Sequence, residues 1–330
     1  MSKMRTETKL VRRVLNGPTM GTRYSIVCFA DEDRPLAELH QALQRSVDAV
    51  DGQMSTWKPD SDLMRLNRAP IGTWFDVPKE LATVLAAALE VGRVSGGAFD
   101  IGVGDLVSAW GFGPGKGAPD SGAIAVAGAG QHLPAHLALE LDPIGRRVRK
   151  HAPLSLDLSG IAKGYGVDQL ARVLDRQGIT SYLVSIDGEL RAGTPKPDGS
   201  GWRVALESPE FGHRTAAGVI EIANAALATS GDYRHVVEHR GTRYSHTIDP
   251  RRHAPLCNGP ASVTVRAPSA MQADAWATAL MVLGPEHGSE LASGLGLEML
   301  FAEREADPAQ PDQPTTQAPE RRSYHDQDYR

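Results

Sequence analysis

The sequence predicts an α+β fold, with mixed or antiparallel sheets and flanking helices. Strand-like runs follow one another at 182–187, 202–207, 218–223, 233–239, 243–248 and 261–266. Helical periodicity is grouped elsewhere, over 36–50, 78–94, the stretch ending at Gly178, and 270–283. Consecutive strands with separate helices favour segregated layers over the regular alternation of a doubly wound sheet. At 330 residues, 41% hydrophobic and 23% charged, the chain can bury a full globular core.

Each element has its own signal. Residues 1–13 are polar and are expected to form a flexible N-terminus. Arg23–Ala30 alternates as a strand does, and Leu36, Leu39, Leu43, Val47 and Val50 mark one helical face. The polar segment STWKPDSDLMRLNR fills 55–68, and a second helix runs from Pro78, suited to a first turn, to about Val94. GPGKGAPDSG at 113–122 reads as a loop, and Arg240-Gly241 as a hairpin tip. The tail from Ala306 is rich in proline, glutamine and charge and is expected to be disordered, leaving one domain over 14–305.

The bulk properties exclude several classes. A net charge of −5 argues against non-specific nucleic-acid binding. No apolar run approaches the roughly 20 residues of a membrane span. The first residues, MSKMRTETKLVRRVLNGPTM, lack the apolar core of a signal peptide, so a cytoplasmic protein is expected, or a periplasmic membrane-attached one if translation starts upstream. Cys28 and Cys257 have no metal spacing and read as small inert fillers.

Chemistry concentrates in a few segments. LSLDLSGIAKGYGVDQL, Leu154–Leu170, reads as a buried strand, then a glycine turn with Asp157, Lys163 and Tyr165, then an amphipathic helix through Val167, Leu170, Ala171 and Leu174. Glycines at such a junction allow close backbone approach, and a first helical turn favours an anion, so a phosphate-bearing ligand is expected. In AMQADAWATALMVLG, Asp274 is the one carboxylate among apolar neighbours, with Thr278 on the same helical face. A buried carboxylate needs a cation or several donors, and these hard oxygens suit Mg²⁺. The plainer alternative is a polar helix edge capped by Ser269 and Gln272. GGAFDIGVGDLVSAWGFGP, Gly96–Pro114, is either a turn-rich region with Phe99, Trp110 and Phe112 in the core or a wall for a planar ligand. ALATSGDYRHVVEHRGTRYSHTIDP, Ala226–Pro250, gathers Ser230, Asp232, Tyr233, Tyr244, His246 and Asp249. There His246 is either structural or a base tuned by nearby Asp249.

In order, PTMGTRYSI, STWKPDSDLMRLN, GGAFDIGVGDLVSAWGFGP, LDLSGIAKGYGVDQL, ALATSGDYR, YSHTIDP and ADAWATAL resemble the ApbE family, the FAD:protein FMN transferases. The resemblance runs from about Pro18 to Gly284 and implies an ApbE-like fold with an FAD and metal cleft between its layers. It implies Mg²⁺-dependent cleavage of FAD to AMP, with FMN attached by a phosphoester to Thr or Ser of an acceptor flavoprotein. It places Met20, Trp57, Ala98, Phe99, Asp100, Asp157, Lys163 and Ile248 in the FAD pocket. Gly160 (through its carbonyl), Asp274 and Thr278 are placed at the metal. With Asp274 committed there, His246 is the better candidate to deprotonate the acceptor hydroxyl. The chain departs from the family pattern at Trp57, Ile101 and Ser159, and in LVSIDGEL at 183–190 through Ser185, Asp187 and Glu189. The alternatives are an FAD pyrophosphatase using the same site with water, and a carrier that only holds FAD.

Overall fold

The computed structural model describes residues 9–114, 117–129, 133–207, 216–232 and 236–303. The chain opens with β1 (Leu10–Thr19) and β2 (Thr22–Asp31), then α1 (Leu36–Met54) and α2 (Asp62–Arg68). β3 (Trp74–Asp76) leads into α3 (Lys79–Val94) and the shorter α4 (Gly104–Ala109), α5 (Ser121–Ala129) and α6 (Ala135–Ala138). Next come β4 (Leu139–Asp142), β5 (Arg147–Lys150), α7 (Ala162–Arg176), β6 (Tyr182–Ile186) and β7 (Glu189–Ala192). β8 (Trp202–Glu207), β9 (Ala216–Ile222) and β10 (Ala225–Gly231) follow. The short β11 (Val236–His239), β12 (Thr242–Ser245), β13 (Ile248–Asp249) and β14 (Ala254–Pro255) precede β15 (Ser262–Ala267), α8 (Ala270–Leu295) and β16 (Glu298–Ala302).

Seven strands form the main sheet in the order β1-β2-β6-β7-β10-β15-β16. Every strand pairing among the described residues is antiparallel, as an α+β architecture requires. Side-chain alternation splits the sheet's two faces. Tyr182, Val184 and Ile186 of β6 pack with Leu39, Leu43 and Val47 of α1 and Val167, Leu170 and Leu174 of α7. Leu183 turns to the opposite face, with Phe29, Trp202 and Ile222 under the β8–β9 hairpin. A further core joins α2 and α3 to Phe99, Ile101, Leu156, Leu158 and Ile161.

α8 is held on three sides. Ala275 and Ala279 join the α3 core, Ala270 the α1–α7 core, and Ala273, Ala277 and Leu280 the layer over β10 and β15. Alanine is the side chain that lets three neighbours approach one helix this closely. α7 and α8 then cap each other. Asp168 of α7 accepts from the Ala270 and Met271 amides at 3.1 and 3.0 Å, while Asp274 of α8 accepts from the Gly164 amide of α7 at 2.9 Å. Each carboxylate satisfies first-turn N–H groups that have no intrahelical partner. Gly164 is required at this crossing, because a Cβ there would run into the Ala270 carbonyl and come 2.8 Å from Asp274 Cβ. Arg191 of β7 donates to Asp168 Oδ1 at 2.7 Å, the same oxygen that accepts from the Ala270 amide.

Several expectations change. β1 begins at Leu10, so 10–13 are strand rather than flexible terminus: the β2 backbone pairs with this polar stretch, Arg13 opposite Cys28. Residues 1–8, Tyr233 and the tail from Ala306 lie outside the described residues. Leu154–Leu158 is not a strand; it touches one backbone neighbour, the parallel bridge Val103–Ser155. The Asn67 side chain replaces the missing strand partner, bonding both the Leu156 carbonyl (3.0 Å) and its amide (2.8 Å). Lys163 and Tyr165 sit in the first turn of α7, not ahead of it. The 55–68 segment carries α2, capped by Ser61, and α5 starts inside the expected 113–122 loop. α8 breaks at Gly284 (φ 78°), followed by Pro285, then continues to Leu295. Cys28 is buried as expected, whereas Cys257 is exposed. No described helix is long and apolar enough to cross a membrane.

Replacing Asp168 with Ala removes the acceptor for two α8 amides and leaves Arg191 unpaired. Urea unfolding should show a loss of about 3–5 kcal/mol, the usual cost of breaking a buried ion pair from one side. A change within about 0.5 kcal/mol, typical of an ordinary surface substitution, would contradict this clasp.

Candidate active site

A cavity of about 830 Å³ lies between the α7–α8 crossing, the β1–β2 turn, the end of α1 and the 98–103 loop. Its size falls within the ordinary range for small-molecule and cofactor sites. Every residue assigned from sequence to FAD, metal or base lines it: Met20, Trp57, Ala98, Phe99, Asp100, Asp157, Gly160, Lys163, His246, Ile248, Asp274 and Thr278.

Local structure explains each position. Met20 and Gly21 form the two-residue turn of the first hairpin, both at positive φ (45° and 72°). A methionine is strained there, and packing against the core holds it in place. Trp57 stands at the mouth, 67% exposed, an indole face with no covering partner layer. Ala98, Phe99 and Ile248 are buried apolar walls. Asp100 and Asp157 organise loops: Asp100 accepts from Gly102 (2.8 Å) and Ala135 (3.0 Å) amides, and Asp157 from the Ser159 amide (2.8 Å).

The floor holds the charged groups. Asp274 and Thr278 lie on one face of α8, and Thr278 Oγ1 would be 3.0 Å from a Cβ placed on Gly160. Gly160 therefore brings its backbone against the Thr278 hydroxyl, and Ser230 Oγ lies 3.4 Å from that same hydroxyl. Asp274 is 4% exposed, so it is no polar helix edge, although Ser269 does cap the helix through the Gln272 amide. Lys163 Nζ lies 3.0 Å from Glu189 Oε1 and 3.2 Å from Asp187 Oδ2.

Burial, then the charge of Glu189, pushes the Asp274 carboxyl well above its ordinary range, against the pull of Lys163 and the Gly164 amide. Burial likewise raises Glu189, opposed by Lys163. Burial lowers the Lys163 ammonium, but Glu189, Asp274 and Asp187 together outweigh it and hold the pKa above the ordinary value. Among the described residues, three carboxylates thus face one ammonium, and Glu189 Oε2 is buried without a hydrogen-bond partner. Excess negative charge, an orphaned carboxylate oxygen and hard oxygens from Asp274, Thr278 and Gly160 together fit a divalent cation of the Mg²⁺ type.

Two sequence expectations are corrected here. The α7 N-terminus, expected to receive a ligand anion, receives the chain's own Asp274. Amides of the glycine turn are also used internally, Ser159 by Asp157 and Ala162 by the Leu158 carbonyl. Asp249 does not serve His246: its carboxylate is engaged by Arg251 at 3.1 Å and Arg252 at 3.6 Å. His246 instead sets its ring edge-on to Phe112, with centroids 6.4 Å apart. Phe99 and Trp110 are core residues, with Tyr244 stacked at a tilt on Trp110.

Sequence reasoning marked Asp187 and Glu189 only as departures from the family pattern, did not single out Asn67, and named Ser230 without a role. Glu189 opens β7 and is buried there, which the sequence pattern does not distinguish from an exposed strand charge.

Comparisons with known proteins identify the family. A model of the ApbE family matches residues 20–301. A Vibrio cholerae protein named FAD:protein FMN transferase is 40% identical, covering 87% of this chain and 86% of its own length. One from Klebsiella pneumoniae with the same name is 38% identical, over 89% and 85%. The solved structure of the flavin transferase ApbE from Vibrio cholerae superposes with a TM-score of 0.79 at 38% identity, covering 89% of this chain and 94% of that one. The apo flavinyl transferase ApbE from Pseudomonas stutzeri gives 0.78 at 38% identity, over 91% and 94%.

A carboxyl whose folded pKa is raised binds extra protons in the native state. Its stabilising contribution is full below the ordinary value of 3.8 and is lost as pH rises through the raised value. In metal-free buffer, Asp274→Asn should therefore gain stability relative to wild type as pH rises from about 5 to about 8. Denaturant unfolding across that range checks it; a pH-independent difference would contradict the burial assigned to this charge.

Proposed function

The chain belongs to the ApbE family, and we propose that this cavity carries out FAD:protein FMN transfer with Mg²⁺ bound at Asp274, Thr278 and the Gly160 carbonyl. FAD is the substrate and a protein is the acceptor. We further assign the acceptor group as a Thr or Ser hydroxyl. The observation that carries this reading is the buried, cation-deficient carboxylate of Asp274 at the floor of a cavity of cofactor size.

The chain's own residues divide the work. The Phe99, Ala98 and Ile248 walls and the exposed Trp57 indole bind the ring systems, where aromatic faces stack favourably. Lys163, whose ammonium lies 3.0 Å from Glu189 at the floor, orients the diphosphate. When bound, Mg²⁺ offsets the charge that develops on the diphosphate as AMP departs. His246, on the cavity wall, accepts the proton of the acceptor hydroxyl. The hydroxyl oxygen forms a bond to the FMN phosphorus, the bond from that phosphorus to AMP breaks, and AMP leaves with the electron pair. Asp274 is poorly suited to act as that base, because its carboxylate is committed to the floor and to the Gly164 amide.

Incubation with FAD, Mg²⁺ and a Thr-containing acceptor protein should release AMP in step with covalent FMN on the acceptor. His246→Ala should slow transfer by about 10²–10⁴-fold, the usual range for a general base, with FAD affinity retained. AMP with free FMN in the presence of the acceptor would make the enzyme a pyrophosphatase. Intact bound FAD under all conditions would make it a carrier.

A further inference from the structure

Asp187 is the least expected residue of the floor. It occupies the two-residue turn between β6 and β7, where Ile186 pairs with Glu189, and its φ is +54°. A non-glycine residue in this left-handed region is uncommon and costs free energy, although Asp is among the side chains that tolerate it. The turn places the carboxylate on the cavity wall, 3.2 Å from Lys163 Nζ and 37% exposed.

Glu189 already supplies a buried partner to that ammonium at 3.0 Å. A second carboxylate is therefore not needed to satisfy the lysine. It makes Lys163 a worse receptor for an anion, since a diphosphate must displace Asp187 or share the ammonium with it. Asp187, Glu189 and Asp274 crowd one ammonium, an arrangement that disfavours a diphosphate and favours a divalent cation.

We propose that Asp187 is a positioning residue that holds Lys163 back from the diphosphate and so makes capture of FAD conditional on prior binding of a divalent cation. This rests on the FAD reading of the cavity. The two ligands are then linked: the cation offsets the floor's charge, FAD binds more tightly, and by reciprocity FAD tightens the cation. Because Asp187 is partly solvated, its own share of that coupling is modest.

The test is the FAD affinity of the full chain, read by quenching of flavin fluorescence in EDTA and in Mg²⁺, for wild type, Asp187→Asn and Asp187→Gly. Asn keeps the turn's tolerance of positive φ, and Gly relieves its strain, so both variants should fold. Mg²⁺ should tighten FAD binding to wild type by a factor in the range of about 5–150. Both variants should shrink that factor about fivefold, through a gain in metal-free affinity. A purely structural role would shift affinity equally with and without metal; an unchanged factor, or weaker metal-free binding in both variants, overturns the proposal. Failure of wild type to bind FAD in Mg²⁺ would instead overturn the reading of the cavity itself, and the proposal with it.

Discussion

The burial of one carboxylate, Asp274, at the crossing of two helices is the constraint on which the site depends. An ionised group in that position is costly unless it is paired, and among the described residues it is met by the Gly164 amide and the shared Lys163 ammonium. The rest of the local sequence serves that placement. Gly164 removes a side chain that would push the helices apart, and alanines on α8 let three packing layers close around it. Asp168 returns the same kind of bond in the opposite direction, so neither helix can slide without breaking a buried contact. A cation at the floor would turn the unfavourable charge into the strongest attachment in the cavity.

The main sheet positions the other half of the floor. β6 and β7 carry Asp187 and Glu189 at and beside their turn, and β10 brings Ser230, near its end, next to Thr278. Sheet register therefore sets the distances between groups that come from four distant stretches of sequence. Asn67 extends this logic to the Asp157 loop, which lies on the cavity wall without strand neighbours of its own. A family-level activity thus rests on ordinary devices: reciprocal helix capping, a side-chain amide in place of a strand, and a strained hairpin turn at Met20.

Much of this was legible in the sequence because it is periodic or chemically unusual. The apolar stripes of α1, α3 and α7 fix those helices, and a lone Asp in an apolar helix announces a buried charge. The eleven residues assigned through motif resemblance converge with His246 on one cavity, although they span Met20 to Thr278. What was not legible depends on partners far apart in the chain. β1 is polar at its start and is strand only because β2 lies alongside. Leu154–Leu158 carries a strand-like pattern yet finds a side chain instead of a strand, and the α7 N-terminus finds Asp274 instead of a ligand anion. No local pattern distinguishes Glu189 buried beneath Lys163 from a charge on an exposed strand.

The most direct test of the central claim is an anomalous difference map from crystals grown with FAD and Mn²⁺ in place of Mg²⁺. The account predicts one strong peak within coordination distance of the Asp274 carboxylate, the Thr278 hydroxyl and the Gly160 carbonyl, against the FAD diphosphate. A peak held by other residues, or FAD ordered in the cavity with no peak at Asp274, would contradict it.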